Sequence, residues 1–360
     1  MIYCNKQYKY VGGEIYPFII VKFTFYICDK NSMENIQIKN IEVYHGSKIV
    51  NNEYYIEHFK KLGKDVKHFM EDVMGRKNRY LLESPQENSL TMAIESSKKV
   101  LETSNLSGKD IDMIVFSSVL PEYVTPPSSF LVHKAINGKE NCFCHDMNIN
   151  CLGMTYALNL ISGYMRSDSN VKRVLLVGSD LLTPQVNPEN ELCYGQYGDA
   201  SCAIILEKVT RDCGIIDSKV STDTAGSNEI HFPKCGFSNI YDAPKENVFA
   251  KWDSYQNYWF DSTINNMNSM LKDHSLSVND ISMFCFSQFA YSNVIKIREV
   301  MNIPESNSLY VGDTYGYTGT SSPFIVLYEA INNNKVKRGD YIIFWTIAAG
   351  TSHMALLFKY

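Results

Sequence analysis

Cys151 has the setting in this sequence that most favours chemistry. It closes CFCHDMNINC, an apolar strand pattern running into an Asn-rich turn, and opens CLGMTYALNLISGYM, an uninterrupted helical run. A thiol at a strand-to-helix turn lies beside unpaired backbone NH groups and the positive end of the helix dipole, which favour thiolate and make a nucleophile. The Cys151 amide would then face any oxyanion formed on a bound acyl group, the logic of a nucleophile elbow. The competing reading is a small buried thiol, the commoner fate of cysteine. The nearby pair Cys142 and Cys144, in CFCH up to His145, lacks the two-residue gap of a zinc knuckle and has no second half elsewhere. Its alternation fits a strand, and no metal is expected there.

The rest of the chain must supply elements that position such a group. Its 360 residues allow two domains, or one large α/β unit built from two halves. With 34 Lys and Arg against 39 Asp and Glu there is no basic excess to neutralise a phosphate backbone, so nucleic acid is not an expected partner. The ten cysteines form no dense disulfide framework, which implies reduced thiols and a cytoplasmic protein. Residues 1–32 form a leader or upstream extension; its apolar stretch Ile15–Cys28 is broken by Lys22 and too short to span a bilayer, so no membrane is expected. From Met33 the segment ENIQIKNIEVYHG alternates as a first strand should.

An internal repeat gives the architecture. Leu106–Ser118 reads LSGKDIDMIVFSS and Leu276–Gln288 reads LSVNDISMFCFSQ, identical at seven of thirteen positions at an offset of 170. Further on, GDASCAIILEK from Gly198 parallels GTSHMALLFKY from Gly350. Strands alternating with helices in both copies predict a duplicated α/β fold, with halves at 33–210 and 211–360.

These motifs resemble the thiolase-fold condensing enzymes, specifically beta-ketoacyl-acyl-carrier-protein synthase III and its relatives. NINCLGM looks like the family's nucleophile turn, Asp110–Asn137 the strand, loop and helix before it, Val174–Asp180 (VLLVGSD) the strand after it, and Tyr197–Glu207 the turn closing the first half. The resemblance covers Met33 to Tyr360 and implies a layered α-β-α-β-α fold with two pseudo-symmetric halves. It places Cys151 as nucleophile and oxyanion amide, Ala349 in the AAG turn as the second oxyanion amide, and Gly153 as a close-packing residue. At the family's His position stands Ser287, followed by Gln288, and at its Asn position stands Tyr317. A Ser hydroxyl is no base near pH 7 and an ordinary Tyr titrates near 10, so malonyl decarboxylation loses its usual partners.

The family's aromatic and Arg at the coenzyme A entrance fall at Phe69 and Val73, with Arg76, Lys77 and Arg79 nearby as alternative phosphate partners. His231 and His353 are possible substitute bases, His145 and Asp146 are read as core, and Asp199 as a brace. The implied function is acyl transfer in fatty-acid-like or specialised metabolism, from acyl-coenzyme A or an acyl carrier protein and with no permanently bound cofactor. Two alternatives stay open: a decarboxylative synthase with a rearranged site, and a silent partner subunit of an active homologue. The resemblance also implies a homodimer in which a loop within Leu120–Phe130 completes the partner's pocket.

Overall fold

The computed structural model describes residues 34–252 and 258–360 in full, together with the backbone of Cys4–Val11 and Glu14–Val21. Met1–Glu34 and Asn35–Tyr360 are separate compact units. In the first, Cys4–Val11 and Glu14–Val21 pair as an antiparallel hairpin, from Cys4 opposite Val21 to Val11 opposite Glu14. The expected start at Met33, and the end of the apolar stretch beyond Val21, lie outside the described residues.

The second unit carries the repeat. Its first part holds β1 (Asn35–His45), α1 (Ser89–Thr103), β2 (Met113–Ser117), α2 (Ser128–Ala135), β3 (Phe143–Met147), α3 (Gly153–Ser167), β4 (Arg173–Asp180) and β5 (Ala200–Val209). Its second holds β6 (Gly214–Thr222), α4 (Phe260–Asp273), β7 (Ile281–Phe286), α5 (Tyr291–Met301), α6 (Ser322–Asn332), β8 (Tyr341–Ala348) and β9 (Ser352–Lys359). The first sheet runs β1-β5-β4-β2-β3 and the second β6-β9-β8-β7. In each, the outer pairings at β5 and β9 are antiparallel, and β4 with β2, β2 with β3, and β8 with β7 are parallel.

The repeat survives down to single hydrogen bonds. Ser107 and Asp110 form a reciprocal cap on the turn before β2, the Ser107 amide and hydroxyl both donating to Asp110 Oδ2 at 2.8 Å. Ser277 and Asp280, 170 residues on, do the same before β7, both at 2.7 Å. A short side-chain acceptor at such a turn satisfies donors the backbone leaves over, which is why the D-I core of the motif recurs where surface positions have drifted.

Alternation along the strands sets the layers. Met113 and Val115 of β2, and Ile342 and Phe344 of β8, face a central core that also contains Met154, Ala157 and Leu158 of α3 and Phe324–Leu327 of α6. That run on α6 is fully buried, as suits a helix covered on both sides. Ile114 and Phe116 instead meet Ala93 and Val100 of α1 and Val132 of α2. On the second sheet Ile343 and Trp345 meet Met267 and Met270 of α4 and Val294 and Ile297 of α5. The order is therefore α-β-α-β-α. Each large apolar side chain buried in it contributes roughly 1.5–3 kcal/mol. Among the described residues no helix is long and apolar enough to cross a membrane, and the eight described cysteines are free thiols.

Candidate active site

The carboxyl ends of the parallel strands converge, the usual place for a site in such sheets. From them come Ser117–Leu120 after β2, Asn148–Cys151 after β3, Asp180 at the end of β4, Ser287–Phe289 after β7 and Ala348–Gly350 after β8. Between these segments lies an apolar cavity of about 620 Å³, bordered by Cys151, Ala349, Tyr317, Tyr197, Trp252 and Phe289 among others. Cavities of this size are typical of small-molecule sites.

The Cys151 turn is built locally and then pinned from the other half. Asn150 adopts φ +49°, a conformation short polar side chains tolerate, and its amide is held by Asn148 Oδ1 at 2.9 Å. The Leu152 and Gly153 amides close back on Ile149 and Asn150. Asn150 Nδ2 donates to the Ala349 carbonyl at 3.2 Å and Thr346 Oγ1 donates to the Cys151 carbonyl at 3.2 Å, so β8 holds the turn. At Gly153 a β-carbon would run into Ser117 Oγ, which is why the first turn of α3 needs glycine.

The titration of the thiol differs from the expectation of a thiolate. Burial pushes Cys151 up to about 12, the Asp180 charge acts in the same direction, and the Tyr317 hydroxyl opposes both. The burial comes from a ring cluster: Trp252 stacks on Phe289 at 5.3 Å, Phe289 meets Tyr317 edge-on at 5.4 Å, and Tyr197 lies 6.0 Å from Tyr317. A low-dielectric setting disfavours the charged form.

Of the other expected site residues, Ala349 and Tyr317 share the cavity with Cys151. Ser287 is buried behind them; its hydroxyl has no hydrogen-bond partner of full geometry. It acts on the Tyr317 phenol, which burial raises well above its ordinary value. Gln288 is structural: its Oε1 accepts from the Val311 and Gly312 amides at 2.7 and 3.1 Å, and its Nε2 donates to the Phe286 carbonyl.

Arg76 and Arg79 do not form a phosphate entrance. Both are fully buried. Arg76 donates to the carbonyls of Gln196, Gly312, Gln288 and Phe289 and to the Tyr310 hydroxyl. Arg79 donates to the Gly195 carbonyl and to Asn52 Oδ1, lies over the Tyr55 ring, and is lowered to about 9 by burial. Buried guanidinium groups whose donors are turned to interior carbonyls and side chains are not placed to hold an incoming phosphate. Phe69 sits on the one-turn π-helix Phe69–Val73 and does not border the cavity. His353 is held at about 4 by burial, bonded to Ser262 and Thr263, and His231 is exposed and bonded to the Ser227 carbonyl. Asp146, read as core, instead borders the cavity and caps α2 through the Ser128 and Ser129 amides at 2.6 and 2.8 Å. Asp199 braces the fold by accepting from the Leu82 amide and the Thr183 hydroxyl. Leu120, Pro121, Tyr123 and Val124 border their own chain's cavity.

Residues 145–224 match the family model of 3-oxoacyl-[acyl-carrier-protein] synthase III, and residues 271–360 match the model of its C-terminal part. The beta-ketoacyl-[acyl-carrier-protein] synthase III of Clostridium perfringens is 26% identical over 331 residues, covering 91% of this chain and all of that one. The chain is a synthase III-like enzyme of the thiolase fold. Among solved structures, the synthase III of Aquifex aeolicus superposes with a TM-score of 0.79 at 22% identity, over 91% of this chain and all of that one. The priming beta-ketosynthase of the R1128 polyketide pathway gives 0.80 at 17% identity, over 91% and 97%. This synthase III-like chain thus belongs among transferases that move acyl groups. Sequence alone did not point to Asp180, Thr320, Tyr197, Trp252 or Phe289 as parts of the site. Asp180 stood at the end of VLLVGSD, where a terminal acid next to small residues was its only signal.

Proposed function

We propose that Cys151 accepts an acyl group from a coenzyme A or acyl-carrier-protein thioester and passes it to an acceptor, with no decarboxylation of a malonyl unit. The observation that carries this reading is a thiol at the head of α3, bordering an apolar cavity, in a chain whose family His and Asn positions hold Ser287 and Tyr317. The Cys151 sulfur attacks the thioester carbonyl carbon, its proton goes to the departing thiolate, and the donor leaves as a free thiol. The charge that develops on the carbonyl oxygen is met by the Cys151 and Ala349 amides, whose turns are tied together through Asn150. Tyr317 donates its hydroxyl toward the sulfur and favours thiolate at the moment of attack. Neither Ser287 nor Tyr317 offers a base near neutral pH. With malonyl thioesters, carbon dioxide release is expected at the level of Cys151→Ala, measured by trapping labelled carbon dioxide. Release as fast as acyl transfer would contradict this reading and support the rearranged synthase.

The reading includes a cytoplasmic enzyme with no permanently bound cofactor, divided near residue 210, where β5 ends at Val209 and β6 begins at Gly214. It also includes a homodimer across β3. Among the described residues this strand pairs only with β2; its own Phe143 is 56% exposed, and Val124, on the loop after β2, is 81% exposed. An unpaired edge flanked by apolar side chains is stabilised by a second copy. Light scattering should give twice the 41.1 kDa chain mass, with Phe143→Arg shifting it to one; a wild-type monomer would rule the dimer out.

A further inference from the structure

Asp180 is fully buried at the end of β4, and its two carboxylate oxygens serve different halves of the fold. Oδ1 accepts from the Ser118 hydroxyl at 2.9 Å and the Val119 amide at 2.6 Å, the start of the loop that borders the cavity. Oδ2 accepts from the Thr320 amide at 2.8 Å, three residues beyond Tyr317. Thr320 in turn accepts, through Oγ1, the Met154 amide of the first turn of α3 at 2.7 Å, and touches Ser117 Oγ at 3.2 Å. Gly319, at φ +62°, leaves room for the carboxylate; a β-carbon there would strike Oδ2. One side chain therefore ties together the loop over the cavity, the Tyr317 loop and, through Thr320, the helix that carries Cys151.

We propose that Asp180, acting through Thr320, is the positioning residue that sets Cys151 against the cavity wall and Tyr317. The Ser118 hydroxyl and the Val119 and Thr320 amides all donate to the carboxylate, so the ionised form is the one the site is built for, despite burial that raises it to about 6. The titratable groups that feel its charge are Cys151 and Tyr197, and both are raised by it. An amide in its place must turn an NH2 toward either the Val119 or the Thr320 amide, so one half of the clamp is lost.

The proposal rests on the reading that Cys151 is acylated, and two electrophiles separate the two claims. Asp180→Asn should slow acylation by thioesters roughly 100-fold, the size of effect a misplaced reacting group produces. Alkylation of Cys151 by iodoacetamide at pH 8 should instead become several-fold faster, because the charge opposing the thiolate is gone. A purely structural role would not move these two rates in opposite directions while cooperative unfolding is retained. Acylation at the wild-type rate overturns the proposal. If the wild type takes no acyl group, the acyl-transfer reading falls, and iodoacetamide alone decides: alkylation no faster in Asp180→Asn overturns the positioning role. Should Asp180→Asn not fold, Thr320→Val and Thr320→Ser replace it. Val removes the acceptor for the Met154 amide and should slow acylation, whereas Ser keeps it and should not; wild-type rates in both overturn the proposal.

Discussion

Cys151→Ala is expected to lose acyl transfer by at least about 10³-fold, because removing the nucleophile leaves only substrate binding and the oxyanion amides. Cys151→Ser should fall nearly as far, since a hydroxyl with no base beside it is harder to ionise than a thiol. The wild-type thiol carries its own signature. With burial pushing it up to about 12, the thiolate fraction grows tenfold per pH unit up to that value. Iodoacetamide labelling of Cys151 should therefore rise about tenfold per unit from pH 7 to pH 10 without levelling off. A plateau near pH 7 would mean that the helix terminus, and not burial, governs the sulfur. Residual acyl transfer in Cys151→Ala within tenfold of wild type would place the chemistry elsewhere.

Gly198→Ala should cost about 3 kcal/mol of stability and remove acyl transfer together with it. A β-carbon at Gly198 would fall on the Tyr315 carbonyl oxygen, a backbone atom that cannot swing aside. The same stretch is laced across the halves: the Tyr317 amide donates to the Gln196 carbonyl at 2.9 Å, and the Gly198 amide donates to the Tyr317 carbonyl at 3.0 Å. Relieving the clash must part these strands and displace Tyr317 from Cys151. The measurement is the urea midpoint alongside the acylation rate. A variant with wild-type midpoint and rate would show that the two halves are not locked here.

What was legible in the sequence is what is written locally. The Ser107–Asp110 and Ser277–Asp280 caps use residues three apart, so the repeat is visible before any fold is known. The Cys151 turn is likewise contained in NINCLGM, where an Asn at positive φ, a thiol and a glycine that must pack against Ser117 follow one another. Strand alternation, joined to the family resemblance, was enough for the five layers.

What was not legible depends on partners brought in from far along the chain. Arg76 and Arg79 have the composition of a solvated basic turn, yet most of their acceptors belong to segments around 195, 288 and 312. No local pattern announces a guanidinium that will be satisfied by carbonyls more than 100 residues away. The elevated thiol has the same origin, since Tyr197, Trp252, Phe289 and Tyr317 enclose it from four separate loops. Helix geometry, readable from sequence, argued for a thiolate; the apolar surroundings that push the thiol up are a tertiary property. Asp180 was missed for the related reason that its donors come from residues 118–119 and 320.

The most direct test of the central claim is the intact mass of the protein after incubation with acyl donors from acetyl to dodecanoyl, each presented on coenzyme A and on an acyl carrier protein. The acyl-transfer account predicts a mass increase equal to one acyl group on the wild type with at least one donor, and none on Cys151→Ala. An unchanged wild-type mass with every donor, or an equal increase on Cys151→Ala, would contradict it.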